Sequence, residues 1–372
     1  MSNWFAIRCD ATEQIGIGHA MRALAFAEWA KEFGLKPVLF TISCPSLVKQ
    51  KLSELDGKLV LLADCKSKPD SKYSHSNWLD CSELDDALRS LNSVGVVANE
   101  EGCRPKFILV DHYALGEKWE RALSKFGSIL VFDDLNDRKH ECAWLVDQTY
   151  GKNEKIYHEL GLVDINTHTF IGAKYALLRK EFSNLSKSTD TALRSGKNLK
   201  VLISLGGADK DNVTLNVLNV LKRSIYFERL EVTCVTSSSN PNLSLLETEI
   251  GGQANFRLLV DAQNMAELMC ESDFCIGAPG STTWERCAVG LPFMSIAIAE
   301  NQLGILKNLE AEGITISVGD LHSVSVEKID TFIKKLLDSP EDYFSHMKKM
   351  QSMCDGLGAN RVISTITKEL NV

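Results

Sequence analysis

Residues 4–30 read WFAIRCDATEQIGIGHAMRALAFAEWA, in which a short apolar run gives way to a glycine-containing loop and then to a mostly apolar helix pattern. Apolar runs without polar alternation are typical of parallel strands, because helices cover both faces of such sheets. This order of strand, loop and helix predicts an α/β fold.

The same pattern recurs along the rest of the 372-residue chain, which is long enough for two domains. We predict two Rossmann-like α/β domains, with mostly parallel sheets that face each other across a cleft. They comprise residues 1–182 and 199–372, joined by the polar linker 183–198, and the last helix is free to pack back on the first domain. The predicted strands lie in KPVLFTI, KLVLLA, FILVDHY, SILVFDD, LKVLISLGG, LEVTCVT, DFCIGAPG and LPFMSIAIA.

Composition excludes several classes of partner. The net charge is −8, with 41 Lys and Arg scattered among 49 Asp and Glu, so no basic stripe exists that could neutralise a row of phosphates. No stretch approaches 18 consecutive apolar residues, and the first 20 residues resemble strand and loop rather than a signal peptide. We therefore expect a cytoplasmic protein that binds neither nucleic acid nor membrane.

Cysteine and histidine spacing argues against a metal site. None of the 11 cysteines forms a CxxC pair, and the eight histidines form no HxH or HExxH pattern. We expect reduced, buried thiols, no metal and no cofactor.

The loop in the opening segment contains a histidine that is a candidate general base. Gly16 and Gly18 permit a tight turn and close approach of a ligand to the helix start, but Met21 occupies the place of the third glycine of a dinucleotide fingerprint. His19 lies at the positive end of the helix dipole, which favours a neutral imidazole and hence a general base. The alternative is that His19 only caps the helix.

Two loops of the second half have the features of phosphate-binding turns. SLGGADKDNVT (204–214) places a double glycine between a strand and a helix, and GAPGSTTWERCAVGLP (277–292) places Ser and Thr at a helix start. Thr282 and Glu285 have the spacing of a capping box, and the alternative is that Glu285 binds the hydroxyls of a ribose.

Polar residues follow other predicted strands. Asn301 and Gln302 could bind a polar ligand or form a simple turn. Asp111 in DHY is a candidate for acid–base chemistry, whereas we expect Asp133 and Asp134 to cap a helix.

In order along the chain, RCDATEQIGIGHAMRALAFA, VDHYALGEKWE, VFDDLNDRKHECAWLVDQTYG, GAKYALLRKEF, SLGGADKDNVT, GAPGSTTWERCAVGLP and AENQ resemble the UDP-2,4-diacetamido-2,4,6-trideoxy-β-L-altropyranose hydrolases of pseudaminic acid biosynthesis. The resemblance extends over nearly the whole chain. It implies a GT-B fold that binds UDP on the second domain and places the sugar chemistry against the first.

The resemblance also implies roles for individual residues. His19 would activate water, and Glu285 would hold the ribose. Ile17 stands where some members of the family carry a second histidine, so that neighbour cannot be essential here. The implied substrate-binding residues are Asp10, Gly16, Gly18, Arg22, Tyr113, Asn301 and Gln302, and the UDP-binding ones are Gly206, Gly207, Gly280, Ser281, Thr282 and Glu285.

The predicted function is metal-independent hydrolysis of this UDP-sugar to UDP and free sugar, with inversion at the anomeric carbon and His19 as base. Three alternatives remain open. The first two are a GT-B glycosyltransferase and an epimerase acting on a UDP-sugar. The third is a nucleotide-sugar sensor without activity.

Overall fold

The computed structural model describes residues 3–65, 67–185 and 198–371. The chain divides into two compact units, unit 1 (Met1–Lys180 with Leu357–Val372) and unit 2 (Glu181–Gly356). Most of the predicted linker, residues 186–197, lies outside the described residues.

Unit 1 is built on one parallel sheet. Its strands are β1 (Trp4–Arg8), β2 (Lys36–Thr41), β3 (Lys58–Leu61), β4 (Phe107–Val110), β5 (Ser128–Phe132), β6 (Trp144–Asp147) and β7 (His168–Ile171). The order is β3-β2-β1-β4-β5-β6-β7, and every neighbouring pair is parallel. The direction of winding reverses between β1 and β4. Loops at the carboxyl ends of two such strands form the usual ligand site of an open α/β sheet.

Unit 2 repeats this plan. Its strands are β8 (Leu199–Ser204), β9 (Leu230–Thr236), β10 (Phe256–Val260), β11 (Phe274–Gly277), β12 (Phe293–Ile296) and β13 (Thr315–Gly319). The order is β10-β9-β8-β11-β12-β13, again with parallel pairs, and the winding reverses between β8 and β11. The loops that follow these two strands contain the two glycine segments singled out above.

Helices cover both faces of each sheet. In chain order they are α1 (Gly18–Ala30), α2 (Ser46–Glu54), α3 (Glu83–Glu101), α4 (Glu117–Leu123), α5 (Ile156–Glu159), α6 (Glu181–Asn184), α7 (Val213–Leu221), α8 (Leu243–Gly251), α9 (Met265–Glu271), α10 (Thr282–Val289), α11 (Leu303–Ala311), α12 (Val326–Asp338), α13 (Pro340–Met353) and α14 (Gly358–Leu370). The last of them, α14, belongs to unit 1 and packs on α1.

The central strands are apolar because they are buried on both sides. In β1, Phe5 and Ile7 point into one core of unit 1, and Trp4 and Ala6 point into the other. This double burial explains why the strands appear in the sequence as unbroken apolar runs. The predicted α/β class with two parallel sheets is confirmed.

The burial of the cysteines and the character of the helices are two further features of the chain. All 11 cysteines are described and free of disulfides; six are buried and five are partly buried. Among residues 3–65, 67–185 and 198–371, no helix combines the length and apolar character needed to cross a membrane.

Candidate active site

A glycine in the left-handed region sets the entry into α1. Gly16 has a φ of 76°, and its N–H donates to the carbonyl of Thr12 over 2.8 Å. Any other L-residue would be strained at this φ. Helix α1 begins at Gly18, so His19 lies in its first turn, at the carboxyl end of β1.

His19 pairs with an aspartate from the neighbouring strand. Its Nδ1 lies 2.6 Å from Oδ1 of Asp111, which directly follows β4. The His19 side chain is 12% exposed, whereas that of Asp111 is completely buried. An ionised carboxylate only accepts hydrogen bonds, so Nδ1 donates its proton to Asp111, and Nε2 is the ring nitrogen not engaged by this carboxylate.

Arg22 keeps Asp111 ionised. Arg22 lies one turn after His19 in α1. The Nε and Nη2 of Arg22 donate to the two oxygens of Asp111 over 2.9 and 2.7 Å. Burial alone would raise the pKa of Asp111, but the positive charge of Arg22 and the contact with His19 hold that pKa well below its usual range. Asp111 is therefore a fixed negative charge behind the imidazole.

The opposite side of Arg22 contacts Asp134, which also accepts a hydrogen bond from Tyr113 Oη over 2.9 Å. Burial, followed by the charge of Asp134, raises the pKa of Tyr113 well above its usual value, so the phenol stays protonated. Arg22 thus bridges two carboxylates, and Tyr113 is tied to one of them.

A wall of aromatic rings lies beside His19, and the sequence analysis did not identify most of it. The His19 ring meets the edge of Tyr113 at 4.6 Å and that of Trp78 at 5.4 Å between centroids. Trp78 stacks on Tyr113 at 5.3 Å, and His75 packs against both. The one available signal was a tryptophan within the polar segment SKYSHSNWLD (71–80).

Asp10, predicted to bind substrate, faces the interior. Its oxygens accept hydrogen bonds from Arg8, Thr41 Oγ1 and the N–H of Ile42, and its side chain is completely buried. Although burial opposes it, the charge of Arg8 lowers the pKa of Asp10 well below the usual range. The geometry therefore makes Asp10 a support for the loops behind His19.

Asp133 and Asp134 do not cap a helix, contrary to our expectation. They lie in the loop from β5 to β6, where no helix begins. Asp133 is completely buried and binds Arg138 and Tyr157, while Asp134 joins the His19 cluster through Arg22. The carboxylates hold that loop by ion pairs instead of by helix capping.

In unit 2, the loop after β8 packs closely against the loop after β9. Gly206 has a φ of 94°, and a Cβ on Gly207 would lie 2.9 Å from the Cβ of Ser237. Asp209 then accepts hydrogen bonds from the N–H groups of Val213 and Thr214 and so caps α7. Both glycines are required by the backbone geometry of this turn.

The start of α10 does not have the geometry of a capping box, which was one of the two alternatives for Thr282 and Glu285. The helix begins at Thr282, so Ser281 occupies the N-cap position, where its side chain makes no capping hydrogen bond. Thr282 lies inside the first turn, and Glu285 is half-buried in that turn. A capping box therefore does not account for the three-residue spacing of Thr282 and Glu285.

Gln302 lies beside the glycine loop that precedes α10. A Cβ on Gly280 would be 3.7 Å from Nε2 of Gln302, and Oε1 of Gln302 accepts from the N–H of Ile298 over 2.9 Å. Its amide is thus fixed with the NH₂ group toward Gly280. The backbone of Asn301 lies in the same 3₁₀ turn, Glu300–Gln302, but its side chain is outside the description.

In the part of the chain that the structure describes, no group of three His, Cys, Asp or Glu residues is arranged to hold a metal ion.

Comparison with known proteins gives relatives of modest identity. The chain is 24% identical over 304 residues to the uncharacterized protein MJ1062 of Methanocaldococcus jannaschii, a match that covers 80% of this chain and 56% of that protein. It is 26% identical over 297 residues to the UDP-2,4-diacetamido-2,4,6-trideoxy-β-L-altropyranose hydrolase of Campylobacter jejuni, covering 79% and 92%. It is 22% identical over 240 residues to the spore coat polysaccharide biosynthesis protein SpsG of Bacillus subtilis, covering 64% and 68%. No family model matches. The resemblance inferred from the motifs is confirmed.

Solved structures share the fold at lower identity. MurG of Acinetobacter baumannii superposes with a TM-score of 0.64 at 13% identity, covering 98% of this chain and 99% of that one. The UDP-GlcNAc 2-epimerase of Neisseria meningitidis bound to UDP-GlcNAc gives 0.63 at 14% identity, covering 98% and 100%. The predicted GT-B fold class is confirmed.

Proposed function

We propose that this protein is an enzyme that hydrolyses a UDP-linked 2,4-diacetamido-2,4,6-trideoxy sugar to UDP and the free sugar, as in pseudaminic acid biosynthesis. The observation that carries the proposal is the contact of 2.6 Å between His19 and the buried Asp111, at the point where the winding of the unit 1 sheet reverses. The similarity to the Campylobacter jejuni hydrolase supports the choice of reaction and sugar.

In the proposed reaction, Nε2 of His19 removes a proton from water as the water oxygen attacks the anomeric carbon. The bond from that carbon to the diphosphate oxygen breaks, and its electron pair leaves with UDP. The sugar is released with inverted anomeric configuration. Asp111 stabilises the imidazolium that forms, because its own charge is fixed by Arg22. The imidazolium then returns its proton to solvent.

The residues around this dyad have positioning roles in the proposal. Arg22 uses its guanidinium on Asp111 and Asp134, so it orients the dyad rather than the substrate. Tyr113 and Trp78 offer the sugar an aromatic surface next to His19. Such a surface suits the methyl groups of two acetamido substituents and a 6-deoxy carbon better than it suits a fully hydroxylated hexose.

We assign UDP to the loops of unit 2 that follow β8 and β11. Gly206 and Gly207 and the segment Gly280–Thr282 would bring backbone N–H groups to the diphosphate. Glu285 would accept hydrogen bonds from the ribose hydroxyls, and Gln302 and Asn301 would contact the sugar. Backbone donors of this kind can stabilise the leaving diphosphate without a metal ion.

The decisive experiment incubates the purified protein with the UDP-diacetamido sugar in H₂¹⁸O and EDTA, with no acceptor added. We expect UDP and free sugar in equal amounts, ¹⁸O in the sugar, and an inverted anomer by NMR within the first turnovers. His19→Gln is the inactive control, and it should still bind UDP.

Each alternative activity predicts a different product. Release of UDP only after an alcohol acceptor is added would indicate a transferase, and a new UDP-sugar without free sugar would indicate an epimerase. Tight binding without turnover would indicate a sensor. Label in UDP instead of the sugar would place bond cleavage at phosphorus, and loss of activity in EDTA that magnesium restores would contradict metal independence.

A further inference from the structure

The start of α10 holds a buried positive charge that the proposed mechanism does not use. Arg286, in the first half of α10, is completely buried. Its Nη2 donates to the carbonyl of Ala278 over 2.7 Å and to Thr283 Oγ1 over 3.1 Å, and Nη1 donates to Thr282 Oγ1 over 3.4 Å. The guanidinium therefore lies directly beneath the loop that leads into α10.

Within residues 3–65, 67–185 and 198–371, no Asp or Glu oxygen lies within ion-pair distance of Arg286, and its Nε has no hydrogen-bond partner. Its neighbours include the ring of Phe293, whose centroid lies 4.4 Å from the guanidinium carbon, and the thiol of Cys275. Burial raises the pKa of that thiol, so Cys275 is neutral and does not compensate the charge.

The arrangement is electrostatically unfavourable in the absence of an anion. A helix amino terminus carries a partial positive charge, so a cation beneath it is repelled. Buried charges are normally paired, because removing them from water is costly. The guanidinium nevertheless fits beneath the loop because residue 277 is glycine. A Cβ on Gly277 would lie 2.2 Å from Nη1 of Arg286.

We propose that Arg286 is a positioning residue for an anionic ligand. Its positive charge acts through the loop Ala278–Thr282 on the diphosphate of a bound nucleotide. The inference rests on the proposed function, because it takes its ligand from there. The helix dipole and the guanidinium add to one positive potential above the loop. The phosphate charge would then supply the counter-charge that Arg286 lacks among the described residues.

The test compares ligands that differ only in phosphate charge. Dissociation constants of uridine, UMP and UDP are measured for the full chain and for Arg286→Met, Arg286→Gln and Arg286→Lys. We expect both neutral variants to bind UDP roughly tenfold more weakly, UMP less affected and uridine unchanged, since an electrostatic effect scales with ligand charge. Arg286→Lys should keep most of the preference for UDP over uridine.

The matched control is Arg257→Met, which removes the same net charge from an exposed arginine of unit 2, at the start of β10. It should leave all three constants unchanged.

If the variants lose affinity for uridine and UDP equally, Arg286 only supports the loop. If their affinity for UDP is unchanged, the charge of Arg286 does not act on the diphosphate. A loss of the UDP preference in Arg286→Lys equal to that in Arg286→Met would also overturn the proposal. So would failure of every variant to fold in saturating UDP. If the unmodified protein binds none of the three ligands, the proposed function itself fails.

Discussion

At the residue scale, one carboxylate decides the chemistry of His19. The sequence assigns a neutral imidazole to the helix dipole alone, whereas the structure adds Asp111, whose oxygen fixes the proton on Nδ1. The dipole disfavours the imidazolium and the carboxylate favours it. In the proposed reaction, Asp111 therefore stabilises the imidazolium of His19 that forms during turnover.

Asp111→Asn is expected to lower kcat by roughly 10²–10⁴-fold, because an amide cannot stabilise the imidazolium and can offer His19 a donor in place of an acceptor. The affinity for UDP should not change, since UDP is assigned to unit 2. The measurements are steady-state kinetics with the UDP-diacetamido sugar and UDP binding by calorimetry.

Asp137→Asn is the matched control. Its carboxylate is about one-third exposed and contacts Arg138, not His19. A kcat for Asp111→Asn within a factor of three of the control would exclude the dyad.

At the element scale, a buried histidine ties α4 to the loop between β5 and β6. His140 Nδ1 donates to Glu120 of α4 over 2.7 Å, and its Nε2 lies 3.8 Å from Asp133, too far for a hydrogen bond. Burial alone would lower the pKa of His140, but the charge of Glu120 together with Asp133 raises it to about 9. A protonated His140 is thus part of the packing of α4.

This packing predicts a pH-dependent stability of unit 1. The folded pKa of His140, about 9, lies above the unfolded value of about 6.5, so its contribution is complete below pH 6.5 and is lost as the pH rises to 9. We expect a loss of about 3 kcal/mol in the free energy of unfolding over this window.

Urea titrations at pH 6.5, 7.5, 8.5 and 9.5 measure the loss, with His140→Gln as reference. Other groups also contribute in this window, for example thiols that are buried in the folded state and titrate near pH 8.5 once the chain unfolds. The difference between the two pH slopes therefore reports on His140. Parallel slopes would contradict the prediction.

At the scale of the whole molecule, the chain completes unit 1 with its last helix. Ala359, Val362, Ile363 and Ile366 of α14 are buried in the same core as Phe5 and Ile7 of β1. The helix enters this core at Gly358, where a Cβ would lie 2.4 Å from the carbonyl oxygen of Ala176. Unit 1 is therefore closed by residues that follow all of unit 2 in the sequence.

Gly358→Ala should destabilise unit 1 by about 1–3 kcal/mol, because two backbone segments must separate to admit the methyl group. Gly251→Ala, at the end of α8, is the control, since a Cβ there meets nothing within 4 Å. Thermal unfolding of both variants measures the difference, and equal melting temperatures would show that α14 adjusts without cost.

The sequence by itself determined the fold class and the residues of the two glycine loops. Strands such as β1, β4, β8 and β11 are buried on both faces, so they appear as continuous apolar runs. Four strands were not identified: β6, β7, β10 and β13. In β7, β10 and β13, which lie at sheet edges, partly exposed residues interrupt the apolar pattern, whereas β6 is fully buried but only four residues long. His19, Arg22 and Tyr113 were found because they belong to local motifs.

Only the tertiary structure decided how those residues combine. His19 and Asp111 are 92 positions apart in sequence, and they meet because β1 and β4 are neighbours in the sheet. The inward orientation of Asp10, the joining of Trp78 to the site and the burial of Arg286 likewise depend on packing between distant segments. A linear pattern encodes which residues favour a strand, a turn or a helix, but the contact of one charge with another is set by strand order and by the shape of the core.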